Sequence, residues 1–346
     1  MIGARPEIIQ AAPLSAALAG HLDEVLVHTG QHYDAAMSGL QIADVKLPEP
    51  DYNLGVGSLP DAEQLALTEE RVGEVIEAEQ PDAVLVRGDT NATLAAARAA
   101  AKRLLPLFHV EAGLRSYRAD MPEERNRIEA DRLADVLLAP THSARDNLLA
   151  ERVKGSVHVT GDVLADVLLA TAGRLPRRGE SGEYVVATVH RNYNTDDPGR
   201  LASVLDCLGT APCRVILPLH PRTRTKIEAA GLSAPANVEL RDPVTYSEML
   251  VLERDAVAVA TDSGGVQREA YVWGVPCVTL REETEWVETV ELGWNTLVGV
   301  DPKRFRAALD RRPPAERPPI FGQGHAADAI AVLVAGHLGG MEASVA

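Results

Sequence analysis

The stretch AVAVATDSGGVQRE, residues 256–269, decides how the chain is read. Ala256–Ala260 is a short uncharged run that alternates alanine with β-branched valine, as suits a strand buried in a parallel sheet. Asp262-Ser263-Gly264-Gly265 ends that run, and a helix follows. A Ser-Gly-Gly turn between a buried strand and a helix lets backbone N–H groups approach a phosphate at the helix N-terminus, where the dipole favours negative charge. Glu269 lies one turn into that helix, and its carboxylate can accept hydrogen bonds from two ribose hydroxyls. The turn matches neither a Walker A loop nor GxGxxG, so by itself it is weak evidence.

The same strand, turn and helix rhythm runs in both directions from this point. Strands are expected at 24–28, 83–87, 107–110, 136–139 and 157–160 in the first half, and at 184–188, 214–217, 238–240, 256–260 and 277–280 in the second. Helices are expected at Asp61–Glu79, where Leu65, Val72, Val75 and Ile76 share one face, and at Ala92–Leu105. This alternation predicts an α/β chain with parallel sheets. The least apolar stretch, LPRRGESGE at 175–183, separates two halves of equal rhythm. We expect one domain over 1–168 and a second over 169–346, with a ligand cleft at the strand ends between them. After Pro313-Pro314 and Pro318-Pro319, a final helix at Ala326–Val334 is placed to pack back on the first domain. Met1-Ile2 leaves almost no room for a first strand.

The 346 residues suit two domains of ordinary size. With 34 Lys+Arg against 50 Asp+Glu, the net charge is -16, which disfavours nucleic acid and anionic membranes as partners. Cys207, Cys213 and Cys277 form neither a disulfide framework nor a metal-ligand set, which fits a reducing cytoplasm. The start carries no signal-peptide pattern, and no apolar run reaches the roughly 20 residues of a membrane span.

Polar motifs gather where strands end. Gly88-Asp89-Thr90-Asn91, Glu111 to Ser116, His190-Arg191, His220-Pro221-Arg222 and Asp262 to Gly265 each follow an apolar run. Any one of them reads equally as a solvated turn or a helix cap; five in register point to one pocket. Arg5, beside Gly3 and Pro6 at the mouth of the first helix, is suited to a diphosphate, or to a surface acid. Asp89, Glu111, Glu123 and Glu124 are acids at strand ends or at a helix start, where the dipole alone explains Glu123-Glu124. If Asp89, Glu111 and Glu123 face one pocket, repulsion raises at least one pKa and sets an acid beside a base, as proton transfer at carbon requires.

These motifs together resemble a known family. Gly3-Ala4-Arg5-Pro6-Glu7, His28-Thr29-Gly30-Gln31-His32, Gly88-Asp89-Thr90, His109 to Arg115, Pro122-Glu123-Glu124 with Asn126-Arg127, His190-Arg191, and Thr261 to Gln267 with Glu269 appear in the order found in the non-hydrolysing UDP-N-acetylglucosamine 2-epimerases. The resemblance spans residue 3 to about 335. It implies two Rossmann-like domains in a GT-B arrangement with UDP in the interdomain cleft, usually a homodimer, and no metal or other cofactor. It also implies anti elimination of UDP across C1–C2 to 2-acetamidoglucal, then re-addition with the proton delivered to the other face of C2. Departure of the diphosphate builds positive charge at C1 and acidifies C2–H, so a carboxylate base can act.

By this resemblance Asp89, Glu111 and Glu123 transfer protons and His190 steadies the leaving diphosphate. Arg5, Ser263, Gly264 and Gly265 hold phosphate, Glu269 holds the ribose, Gln10 lies on the phosphate side, and Arg281 faces the site. Glu282 and Glu283 are expected in a solvated loop. The family usually has lysine where this chain has Gln10, and an acid where it has Tyr193 in His190-Arg191-Asn192-Tyr193-Asn194. Gln31-His32-Tyr33-Asp34 departs from the Gln-His-Arg of the allosterically regulated bacterial subgroup, so strong activation by UDP-N-acetylglucosamine is not expected. That stretch and LPLHPRTR at 217–224 resemble relatives acting on UDP-2,3-diacetamido uronates. A hydrolysing 2-epimerase, a GT-B glycosyltransferase and a catalytically silent UDP-sugar binder stand as alternatives.

Overall fold

The computed structural model describes residues 1–3, 5–30, 47–57, 59–176 and 179–345; the Gln31–Asp34 motif lies outside them. The chain forms two compact units, residues 1–170 with 320–346, and residues 171–319. Both are α/β and wholly parallel, and the fold class is that of two Rossmann-like domains, the GT-B class. No helix among the described residues is long and apolar enough to cross a membrane.

The first unit runs α1 (Arg5–Leu18), β1 (Val27–His28), β2 (Tyr52–Asn53), α2 (Asp61–Glu79), β3 (Val84–Arg87), α3 (Asn91–Lys102), β4 (Leu107–Val110), α4 (Pro122–Leu133), β5 (Val136–Ala139), α5 (His142–Glu151), β6 (Ser156–Val159) and α6 (Val163–Ala172). Strands β3 to β6 lie side by side in chain order, and β1 pairs with β2. The register sets Arg87 of β3 opposite Val110 of β4. The turns that follow these two strands therefore leave the sheet as neighbours. β1 is shorter than the expected 24–28, because Asp51 Oδ2 takes the Leu26 N–H at 2.7 Å in place of a ladder partner. The expected shortage of a first strand is visible as one parallel bridge from Ile2 to His28, with Ile2 fully buried.

α2 buries Gln64, Thr68, Val72 and Ile76, one residue per turn, and ends where Gln80 turns left-handed. α3 starts on a capping box between Thr90 and Thr93 and buries a row of alanines. Those small side chains let α2 and α4 pack closely on either side of it. The last helix runs over Ala326–Val345, well past the expected Val334. Ile330, Ala331 and Val334 share a core with Leu14, Leu18, Phe108 and Leu138. Asp166 Oδ2 accepts the Ala327 N–H at 2.7 Å and anchors the start of this helix.

The second unit runs β7 (Tyr184–Thr188), α7 (Asn192–Thr195), α8 (Pro198–Gly209), β8 (Arg214–Pro218), α9 (Pro221–Ala229), β9 (Val238–Arg241), α10 (Tyr246–Asp255), β10 (Ala258–Thr261), α11 (Gly264–Trp273), β11 (Cys277–Thr279), α12 (Val287–Glu291), β12 (Asn295–Leu297) and α13 (Pro302–Leu309), and the last helix of the chain is α14. Its sheet order is β12-β11-β10-β7-β8-β9. Counted from β7 this is 6-5-4-1-2-3, the Rossmann order, whose direction reverses between β7 and β10. β10 begins two residues later than expected. Ala256 caps α10, and Val257 is 45% exposed.

Candidate active site

In an open parallel sheet, ligands bind beyond the carboxyl ends of the strands at the point where strand order reverses. In the second unit that point lies between Thr188 and Thr261, which are opposite one another in register. His190 follows the first and Asp262 to Gly265 follow the second. Asp262 is fully buried and acts as the hub of this corner. Its carboxylate accepts the backbone N–H of His190 at 3.2 Å, that of Arg191 at 3.0 Å and the side-chain amide of Asn194 at 3.0 Å. The His190 ring stays 48% exposed, with Nδ1 3.5 Å from Asp262 Oδ1. Asp262 thus fixes the His190 backbone and leaves its imidazole accessible.

Ser263 caps α11, and its Oγ accepts the Val266 N–H at 3.5 Å. Gly264 is packed so closely that an added Cβ would lie 2.4 Å from Glu285 Oε1 and 2.9 Å from Trp286 Nε1. Gly265 is partly exposed beside it, and Glu269 is buried one turn further along. Arg281 is buried, and its guanidinium meets Glu285 Oε2 at 2.9 Å and Glu283 Oε1 at 3.4 Å. Glu283 therefore does not lie in a solvated loop as expected; it helps neutralise Arg281. Glu282 is exposed and pairs with Arg304 at 3.2 Å. At Tyr193 the phenol is pushed well above its ordinary range, chiefly by burial. Asn194 beside it ties Asp262 to the Leu280 carbonyl.

The first unit gathers carboxylates. Asp89 follows β3 through Gly88, whose φ of +69° needs glycine's freedom. Its side chain pairs with Arg127 of α4, and its carbonyl accepts the Asn126 amide at 3.0 Å. Glu111 follows β4 with φ 68°, a left-handed backbone that a non-glycine residue adopts only at a cost. Its Oε2 accepts from Gln10 Nε2 of α1 at 3.1 Å. Glu123 lies in the first turn of α4, partly exposed. Glu124 has a different task. It accepts the Ser116 N–H, the Ser116 hydroxyl and the Tyr117 N–H, each at 2.9 Å, and pairs with Arg127 at 3.1 Å.

The sequence-predicted residues thus fall into two groups. Asp89, Glu111, Glu123 and Gln10 belong to the first unit, and His190, Ser263, Gly264, Gly265, Glu269 and Arg281 to the second. Arg5 opens α1, but its side chain lies outside the described residues. Gln10 is buried and turned to Glu111, and its Oε1 has no hydrogen-bond partner among the described residues.

Several supporting residues were not assigned from sequence. Arg127 bridges Asp89 and Glu124. Glu7 accepts the Gly3 N–H at 2.6 Å and the Thr90 hydroxyl at 2.7 Å, tying the α1 turn to the Asp89 turn. A charged residue among the first-helix apolar positions, and a histidine inside the apolar run LFHV, were the available signals. Within the first unit, carboxylates that follow adjacent strand ends suit proton transfer, and within the second unit the N-terminus of α11 suits an anion.

The model of the family described as UDP-N-acetylglucosamine 2-epimerase matches residues 16–335. The chain is 45% identical over 311 residues to the UDP-2,3-diacetamido-2,3-dideoxy-D-glucuronate 2-epimerase of Pseudomonas aeruginosa, covering 86% of this chain and 87% of that one. It is 40% identical over 328 residues to a UDP-N-acetylglucosamine 2-epimerase homolog of Methanococcus maripaludis, covering 91% and 92%. Among solved structures, the Methanocaldococcus jannaschii UDP-GlcNAc 2-epimerase in complex with UDP-GlcNAc and UDP superposes with a TM-score of 0.90 at 35% identity, covering 96% of this chain and 98% of that one. On this evidence the chain belongs to the UDP-N-acetylglucosamine 2-epimerase family.

Proposed function

We propose that the protein interconverts the C2 epimers UDP-GlcNAc and UDP-ManNAc and keeps the intermediate bound, without metal or nicotinamide. A carboxylate takes the proton from C2, the C1–O bond breaks with its electron pair leaving on UDP, and a C1=C2 double bond forms. In the return step the diphosphate oxygen attacks C1 while C2 receives a proton on its opposite face. Asp89, Glu111 and Glu123 carry the two proton transfers. His190 with Arg5 and Gln10 steadies the diphosphate, Ser263, Gly264 and Gly265 donate to it, and Glu269 holds the ribose; Arg281 supports the turn through Glu285. The working unit is a cytoplasmic homodimer, with one domain over 1–168 and the other over 169–346 apart from the final helix.

The observation that carries this reading is the emergence of Asp89 and Glu111 from adjacent parallel strand ends, in a chain of this family. Incubation with UDP-GlcNAc in heavy water tests it. Deuterium should enter C2 and UDP-ManNAc should appear without free sugar. Free N-acetylmannosamine accumulating in step with UDP would select the hydrolysing reaction instead. The 45% identity to the Pseudomonas enzyme supports a second reading, 2-epimerisation of a UDP-2,3-diacetamido uronate. The ratio of kcat/KM for the two sugars decides between them. No exchange into either would reject both.

A further inference from the structure

His109 of β4 and Asp131 of α4 are both fully buried and together touch the two turns that carry Asp89 and Glu111. His109 Nδ1 lies 2.7 Å from Asp131 Oδ1, and Nε2 lies 2.8 Å from the carbonyl oxygen of Gly88. Asp131 Oδ2 accepts the Gly113 N–H at 3.2 Å and meets Arg115 Nη1 at 2.7 Å. Arg115 in turn forms a two-pronged pair with Glu151, at 2.7 and 2.8 Å. The Asp131 side chain pairs with the Arg115 guanidinium and accepts the Gly113 N–H, and a carbonyl oxygen such as that of Gly88 can only accept. Both ring nitrogens of His109 thus face oxygen atoms, the arrangement that an imidazolium, with two N–H donors, satisfies.

Gly88 immediately precedes Asp89, and Gly113 lies two residues beyond Glu111. Asp131 thus reaches one turn directly and the other through His109. Both turns need holding. Gly113 has φ +86° and an added Cβ would lie 2.2 Å from the Ala144 carbonyl oxygen, while Glu111 is itself left-handed. Backbone in such regions persists only where its surroundings over-determine it. We infer that the His109–Asp131 pair is a positioning element, a charged cross-brace that sets the spacing between the Asp89 turn and the Glu111 turn.

The inference rests on the proton-transfer roles proposed for those two carboxylates. The electrostatics agree with it. Burial opposes charge on His109, but the Asp131 hydrogen bond and charge, the Gly88 carbonyl and the charge of Glu111 outweigh burial and raise its pKa. Charges alternate along His109, Asp131, Arg115 and Glu151, so none is left buried without its opposite.

The test uses the full chain with 15N-labelled histidine. In the wild type, NMR should show both His109 ring nitrogens protonated at pH 7, and Asp131→Asn should abolish that state. A neutral, single-tautomer His109 would overturn the inference without any variant being made. In folded His109→Gln, the amide resonances of Gly88–Thr90 and Glu111–Gly113 should move together. The epimerisation kcat should fall by about 10²-fold, with KM and calorimetric UDP affinity changed by less than about threefold. A folded His109→Gln with wild-type kcat, or with neither turn displaced, would overturn it. A wild type with no C2 exchange would reject the proposed function, while the NMR arms still decide the cross-brace.

Discussion

Asp262 holds His190 by its backbone, with the carboxylate 3.2 Å from the amide nitrogen, and also meets the half-exposed imidazole, whose Nδ1 lies 3.5 Å from Oδ1. Asp262→Asn keeps the shape but replaces an acceptor by an N–H₂ that faces other donors. Loss of charge-assisted bonds at a buried site costs about 1–3 kcal/mol. We expect a lower midpoint in urea and weaker UDP binding by calorimetry. Unchanged UDP affinity would separate His190 from the nucleotide.

Glu111→Gln removes a carboxylate but retains the hydrogen-bonding size of the side chain. Groups that move a proton in the transition state contribute about 10²–10⁴-fold. The rate of C2 exchange should drop by that order, with UDP affinity unchanged. Asp89→Asn should behave alike, with an added loss of stability because Arg127 loses one of the two carboxylates it bridges and keeps Glu124.

Gly264→Ala places a methyl group against Glu285 and Trp286. Overpacking of this kind costs about 1–3 kcal/mol, and relief requires the 285–286 segment to retreat and carry Arg281 with it. Thermal denaturation should show the loss, and calorimetry should show weakened UDP binding. A variant of wild-type stability and affinity would mean that the loop yields freely.

Two histidines set opposite pH dependences. The pKa of His109 is raised above the usual 6.5, so its contribution to stability is complete below about pH 6.5 and is lost as pH rises through the folded value. Burial lowers the pKa of His28, whose Nδ1 accepts the Gly30 N–H at 2.8 Å. Its contribution is present above pH 6.5 and is lost as pH falls through the lowered value. Urea titrations of wild type and His109→Gln across this range should differ in slope on the alkaline side only.

Burial pushes the thiols of Cys207 and Cys277 up to about 12. Neither should react with a thiol reagent at pH 8 in the native protein, whereas Cys213 is partly exposed and should label first. Rapid labelling of all three would show that the second unit opens readily.

The strand and turn rhythm was legible because strands buried on both faces, such as LFHV and VLLA, exclude charge almost entirely. The carboxylates at strand ends were legible for the same reason, since each follows directly on an apolar run. The strand order of the second sheet was not, because hydrophobic pattern carries no information on which strand lies beside which. His109 and Asp131 are 22 positions apart, and Arg127 and Asp89 are 38 apart. Such pairs exist only once α4 is laid against β3 and β4. The length of α14 was missed because Gly336, Gly339 and Gly340 interrupt its apolar pattern, although the backbone stays helical through them.

The left-handed backbone of Glu111 marks a conflict between folding and chemistry. A chain selected for stability alone would place glycine there, and Glu111→Gly should relax the main chain even as it erases the carboxylate. Thermostabilising substitutions proposed from backbone geometry should therefore pass over this position. Its strain is what the fold gives up to carry a carboxylate at the end of β4.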